Sequence, residues 1–194
     1  GVAIENVLTG FKYIGEKLQH YLDSGEHTFL MGYEESYGYL FGDYARDKDA
    51  CVASMMIAEA AAYYRSRGMT VYDALMSVFE RYGFSVEKTL NLVMPGLDGA
   101  EKMKKMMQGL RSEPPKDIGG VSVLSVKDYS QGLDGLPKAN VLSYALEEGS
   151  TLIVRPSGTE PKVKVYIMTR GKDETEAKAK EERLETGFKE KHAN

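Results

Sequence analysis

The sequence predicts an α/β segment followed by an α+β domain. Three observations predict this. Short apolar strands alternate with helical periodicities up to about Arg67. A helical stripe then runs to Tyr82 and is closed by Gly83. From Phe84 onward alternating apolar strands dominate, with two helical stretches among them. The expected divisions are a partial α/β domain over 1–67, a linking helix over 68–83, and a second domain over 84–194.

In chain order, Val2 to Val7 reads as a short strand, and Thr9-Gly10 as a turn. Phe11, Ile14, Leu18 and Leu22 recur at spacings of three and four, which predicts a helix ended by Gly25. Thr28 to Met31 reads as a buried strand leading into the glycine-bracketed loop Gly32-Tyr33-Glu34-Glu35-Ser36-Tyr37-Gly38. Acids and a serine just after a strand fall where ligands bind in α/β sheets. Asp47 to Arg67 reads as a helix, with Asp47 or Asp49 as cap and Gly68 as terminator. Its middle is apolar nearly all round, which predicts burial on more than one side. Cys51 is expected to be inert core there. Thr70 and Asp73 read as a capping box for a helix with the stripe Val71, Leu75, Val78, Phe79 and Tyr82.

Phe84 to Met94 reads as a strand and Pro95-Gly96 as a turn. Asp98 with Glu101 reads as a second capping box. The stripe Met103, Met106, Met107 and Leu110 is read as core packing. Pro114-Pro115 breaks the chain, and Val121, Val123 and Val126 suggest a strand. Gly132 to Asn140 reads as a loop, and Val141 to Leu146 as a strand. Leu152 to Val154 and Lys162 to Met168 read as a strand pair. A charged helix follows from Asp173, with Ala177, Leu184 and Phe188 inward.

Composition excludes several function classes. With 25 Lys+Arg against 29 Asp+Glu, the formal net charge is −4. That balance, without a basic cluster, argues against a nucleic-acid partner. No apolar run approaches the roughly 20 residues of a membrane span, and the first ten residues lack the pattern of a signal peptide. The single cysteine excludes an internal disulfide and a cysteine zinc site. A reducing, cytoplasmic setting is the expectation. Beginning at Gly1, the chain is read as a piece of a longer protein.

Two loops carry residues suited to chemistry. In Arg155-Pro156-Ser157-Gly158-Thr159-Glu160-Pro161, the arginine offers a planar fork of donors suited to phosphate. Ser157 and Thr159 add hydroxyls. Gly158 permits a positive φ, which would turn successive N–H groups towards one point. The prolines stiffen both ends, and Glu160 must point away. An ordinary hairpin turn is the competing reading. In Gly32 to Gly38, Glu34, Glu35 and Ser36 could grip vicinal sugar hydroxyls, act as paired acids, or ligate a hard metal. A solvated acidic loop is the competing reading there. Lys12, in the first turn of a helix, is most simply a surface lysine.

The strings TGFKYIGEKL, GYEESYGYL, the RDKDA helix start and LIVRPSGTEPKVKVYI occur in this order. Together they resemble the C-terminal part of a bacterial phosphoglucomutase/phosphomannomutase of the α-D-phosphohexomutase superfamily. The resemblance covers essentially the whole chain. It implies the latter part of the family's third domain, a linking helix, and the family's fourth domain, an antiparallel sheet with flanking helices related to the TATA-binding-protein-like fold. It also implies an isomerase that moves a phosphoryl group between hexose positions 1 and 6, through a phosphoserine and a bisphosphorylated intermediate. By motif, Glu34 and Ser36 match the residues that hold sugar hydroxyls, and Lys12 is a looser match. Arg155, Ser157, Gly158 and Thr159 match the loop that holds the non-transferred phosphate. The resemblance further implies Mg2+ and a hexose bisphosphate activator for the parent enzyme. Its partners would be a hexose phosphate and the N-terminal domains of the same chain, with neither nucleic acid nor membrane. The serine loop and the D-G-D-x-D-R magnesium loop of the family are absent from these 194 residues. The expectation is therefore an inactive fragment with no catalytic residue and no metal ligand of its own. A non-catalytic sugar-phosphate-binding or interaction module is the alternative. The sugar stays open among glucose, mannose, glucosamine and pentose phosphates.

Overall fold

The computed structural model describes residues 1–192. They form two compact units, Gly1–Met76 and the residues from Ser77 on.

In the first unit, helix α1 (Phe11–Ser24) buries Phe11, Ile14, Gly15 and Leu18. It stops where Gly25 adopts φ 69° and donates its N–H to the Tyr21 carbonyl. Strands β1 (Met31–Tyr33) and β2 (Tyr39–Phe41) pair antiparallel, Gly32 opposite Leu40. The loop expected at the end of a lone strand is therefore the turn of a short hairpin. Its closure comes from Glu34 N–H to the Gly38 carbonyl at 2.9 Å and Tyr37 N–H to the Glu34 carbonyl at 3.2 Å. Tyr37 takes the left-handed conformation, φ 66°. Phe11, Ile14, Leu18 and Leu40 make the core, with Val7, Phe29 and Ala45 packed against it. Gly15 lets the chain after β2 touch α1, since a Cβ there would stand 2.5 Å from the Arg46 carbonyl oxygen.

Four expectations for this unit fail. Thr28 to Met31 is not a buried strand, since β1 begins only at Met31 and both Leu30 and Met31 are exposed. Val2 to Val7 is not a strand. No described segment offers it a ladder, and Val2 and Ile4 are 74% and 87% exposed. Helix α2 (Ala50–Arg65) forms as predicted, with Asp49 accepting from the Cys51 and Val52 N–H groups. Yet none of its residues is buried, although it packs along β2. Cys51 is accordingly exposed rather than core.

Helix α3 (Val71–Tyr82) begins at the predicted capping box. Thr70 Oγ1 accepts from Asp73 N–H at 3.1 Å, and Asp73 Oδ2 accepts from Thr70 N–H at 2.7 Å. Its apolar stripe stays largely exposed, with Ala74 its buried residue.

The second unit is built on a six-stranded antiparallel sheet, order β3-β8-β7-β6-β5-β4. The strands are β3 (Phe84–Val93), β4 (Asp117–Ile118), β5 (Val121–Asp128), β6 (Leu142–Leu146), β7 (Thr151–Pro156) and β8 (Lys162–Gly171). One face is apolar: Leu90 and Leu92, Leu142, Tyr144 and Leu146, Leu152 and Val154, and Val163, Val165 and Ile167. Helices α4 (Gly99–Ser112) and α5 (Glu174–His192) pack on it through Met107, Leu110, Leu184 and Phe188. The methionine stripe is thus core, as read. The second capping box does not form. Asp98 makes no cap and instead pairs with Lys102 at 3.0 Å, one helical turn along.

Strand β8 alternates half-buried and buried residues over Lys162–Thr169, so Lys162, Lys164 and Tyr166 lie on the face away from α4 and α5, whereas the buried Thr169 donates its hydroxyl to the Ala177 carbonyl of α5 at 2.9 Å. A charge on the helix side is also managed. Lys88 of β3 bridges Glu181 at 3.4 Å and Glu185 at 2.6 Å, the former almost fully buried on α5. No helix among the described residues is long and apolar enough to cross a membrane.

Candidate functional site

The RPSGTEP segment joins β7 to β8. Arg155 and Pro156 end β7, directly opposite Lys164 and Val163. The hairpin closes through Ser157 N–H to the Lys162 carbonyl at 2.8 Å and Lys162 N–H to the Glu160 carbonyl at 2.7 Å. The Pro161 carbonyl accepts from Met94 N–H at 2.8 Å, which ties the loop to the end of β3. These bonds fix the loop's ends and leave its tip lightly bonded. Thr159 N–H reaches Ser157 Oγ only at 3.4 Å, and the two hydroxyl oxygens stand 3.5 Å apart. Both are long for such bonds, so Ser157, Gly158 and Thr159 keep donor capacity for a ligand.

Arg155 is half-buried, and its Nη1 donates to the Tyr166 hydroxyl at 3.4 Å. Among the described residues no carboxylate pairs with it. Glu160 is engaged by Lys162, whose hydrogen bond and then charge hold its carboxyl below the usual range. The acid inside the motif is therefore turned onto its neighbour. One expectation fails: Gly158 is not in the left-handed region, and nothing lies within 4 Å of where its Cβ would stand. The loop makes its turn without positive φ there, so the tip is not the alternating nest that the glycine suggested.

In the first unit the GYEES turn meets the start of α1. Glu34 Oε1 accepts from Gly10 N–H at 3.1 Å. That places a half-buried carboxylate at the N-terminal end of the helix whose first turn carries Lys12. Lys12 is exposed, with its ammonium 4.9 Å from the Tyr13 ring centroid. Ser36 and Glu35 are exposed on the turn. A cavity of about 930 Å³ is lined in part by Gly10, Gly32, Glu34 and Glu35, and neither Lys12 nor Ser36 lines it.

The structure adds residues that the sequence reading left unassigned. The stem of Lys48 lies over Gly38, where a Cβ would be 2.3 Å from its Cδ and 3.2 Å from Glu34 Oε2. Lys48 thus shares the turn with Glu34, and its ammonium is 5.3 Å from the Phe11 ring centroid. The RDKDA string was its signal, read only as a helix start. Lys164 and Tyr166 flank Arg155 on the polar face of the sheet. The alternation Lys162, Lys164, Tyr166 was their signal.

Among the described residues no three His, Cys, Asp or Glu side chains converge on one point. The magnesium ion was implied for the parent enzyme, whose magnesium loop these 194 residues lack, so no residue here is assigned to it and no step is derived through it.

Comparison with known proteins bears on both loops. Residues 1–82 match the family model described as phosphoglucomutase/phosphomannomutase, alpha/beta/alpha domain III. Residues 98–185 match that of the phosphoglucomutase/phosphomannomutase C-terminal domain. A phosphoglucomutase of Staphylococcus epidermidis is 36% identical over 177 residues, covering 86% of this chain and 32% of that protein. One of Staphylococcus aureus is 34% identical over 177 residues, with the same coverage. The chain therefore spans about a third of the length of the curated relatives it matches. Among solved structures, the open form of the Paramecium exocytosis-sensitive phosphoprotein parafusin, a phosphoglucomutase, superposes with a TM-score of 0.62 at 20% identity. It covers 93% of this chain and 32% of that one, a likeness of fold. With successive domain models of one family matching in order along it, the chain belongs to the phosphoglucomutase/phosphomannomutase family, of which it carries domain III sequence and the C-terminal domain.

Proposed function

We propose that this chain is the substrate-holding C-terminal part of a phosphohexomutase that interconverts hexose 1-phosphate and 6-phosphate. In it, Arg155, Ser157, Gly158 and Thr159 hold the phosphate that is not being transferred. Glu34 and Ser36 accept and donate hydrogen bonds to ring hydroxyls, and Lys12 lies beside them. The proposed divisions are 1–67, 68–83 and 84–194. The observation that carries this reading is the β7–β8 loop. Its ends are bonded to β8 and β3, its tip donors are weakly used, and its arginine has no carboxylate partner among the described residues.

The chemistry suits such a loop. A bisphosphorylated sugar that turns over between two transfers presents a phosphate from either carbon to the same contacts. A planar fork with two hydroxyls recognises the anion and not the carbon that bears it. Hydroxyl recognition is a separate task, for which a carboxylate already fixed by Gly10 N–H loses little freedom on binding. The phosphoserine, the magnesium ion and the bisphosphate activator belong to the same proposal. These 194 residues carry no T-A-S-H-N-P serine loop, so the chain by itself should give no turnover.

Calorimetry with glucose 1-phosphate tests the reading. The 194-residue chain should bind it weakly, glucose alone should give no heat, and Arg155→Ala should remove the signal. Equal binding of glucose and glucose 1-phosphate would contradict it.

A further inference from the structure

Among the described residues, three other than glycine hold a positive φ: Tyr37 at 66°, Asp134 at 56° and Glu148 at 60°. Aspartate tolerates that conformation, and Asp134 is also held by Lys127 at 2.7 Å. Glu148 is held by Arg183 at 2.9 Å. No side-chain bond of this kind holds Tyr37 among the described residues, and its ring is 87% exposed. A bulky residue in the left-handed region is a true outlier. The hairpin makes position 37 a place for glycine. Glu34 and Gly38 close it around three residues, and such loops put one residue in the left-handed region, which glycine adopts without steric cost. The glycine of this turn stands one place later and serves another purpose. Gly38 has no positive φ, and a Cβ there would stand 2.3 Å from Lys48 Cδ. Packing accounts for Gly38, whereas nothing in the fold accounts for a tyrosine before it. Strain of this kind persists at ligand contacts, and Tyr37 follows directly on Glu34 to Ser36.

We propose that Tyr37 is a specificity-determining residue of the sugar turn, its ring the apolar platform for the C–H face of a hexose ring. The inference rests on the reading that Glu34 and Ser36 hold ring hydroxyls. Those two contacts recognise polar groups at the rim of a sugar. A pyranose also presents C–H groups on its faces, and these leave water favourably only against an apolar surface. A tyrosine ring supplies such a surface, large and flat, and with two side-chain torsions it loses little freedom on binding. The left-handed backbone is the cost of presenting that ring clear of the hairpin.

The test uses Tyr37→Gly and Tyr37→Phe in the 194-residue chain, read by thermal melting and by titration with glucose 1-phosphate and with inorganic phosphate. Without ligand, Tyr37→Gly should raise the melting midpoint of the first unit by about 4 °C, because the backbone strain is relieved. Its affinity for glucose 1-phosphate should nevertheless fall about fivefold, in the range of an aromatic contact. Tyr37→Phe should bind glucose 1-phosphate as the parent does, and all three proteins should respond alike to inorganic phosphate. In the parent, irradiating aromatic protons should transfer saturation to the sugar C–H protons, and in Tyr37→Gly that transfer should fade. If Tyr37→Gly binds glucose 1-phosphate as the parent does while Arg155→Ala loses it, the inference is overturned and the proposed function stands. If Tyr37→Gly melts no higher than the parent, or weakens inorganic phosphate equally, Tyr37 serves the fold and the inference is overturned. Loss of affinity in Tyr37→Phe would assign the contact to the hydroxyl and overturn it too. If the parent chain does not respond to glucose 1-phosphate, the proposed function itself falls, and the inference with it.

Discussion

Glu34 has a structural duty that can be measured apart from any ligand. Its carboxylate accepts the Gly10 N–H that opens α1, so Glu34→Ala should cost the first unit about 1 kcal/mol, as for a lost N-terminal cap. Chemical denaturation would read this, and an unchanged midpoint would contradict it. Gly158 gives the opposite case. It has open space around its Cβ position and no left-handed φ. Gly158→Ala should therefore change stability by less than about 0.5 kcal/mol, measurable in the same experiment. The residue types of RPSGTEP were legible because anion recognition depends on which donors lie close together in the chain. The backbone angle at Gly158 was not, because it is set by the bonds from Ser157 and Met94 that close the hairpin from outside the tip. Lys164 was hidden for a related reason. Its meaning lies in the register with Arg155, which no local pattern contains.

At the scale of elements, pairing and close approach decide more than periodicity does. The capping box of α3 was legible because both partners lie within four residues. The β1–β2 hairpin was missed because a three-residue strand has too few positions for alternation to show. Helix α2 depends on Asp49, whose carboxyl is held below the usual range by the Tyr44 hydroxyl first and then by the Val52 and Cys51 N–H groups. A lowered folded pKa contributes stability above the unfolded value, near pH 4, and that contribution is lost as pH falls through the folded value. Protection of the Cys51 and Val52 amides, relative to their intrinsic exchange at the same pH, should therefore fall below about pH 4, and Asp49→Asn should flatten that dependence. On α5, a Cβ at Gly187 would stand 2.3 Å from the Gly119 Cα. Gly187→Ala must push the helix off the β4–β5 turn, at a cost of about 1–3 kcal/mol. A thermal melt equal to that of the parent would show that the contact is not so tight.

Over the whole molecule the two units differ in how much they bury. The second has a continuous core from both helices and all six strands, whereas the first has four buried core residues and a helix α2 with none. Exchange protection should accordingly be greatest in β7 and β8 and least in α2, and comparable protection in α2 would contradict this. Family membership was legible from the order of four strings along the chain, whereas the exposure of α2 was not. Apolar composition tells that a face needs covering, not which segment covers it. The central claim is that the Arg155–Thr159 loop is an anion site complete within its own unit. An NMR titration with inorganic phosphate tests it most directly. The account predicts shifts centred on Ser157, Gly158 and Thr159, saturating with a dissociation constant on the order of millimolar and lost in Arg155→Ala. Unmoved resonances at those three residues up to tens of millimolar phosphate would contradict it.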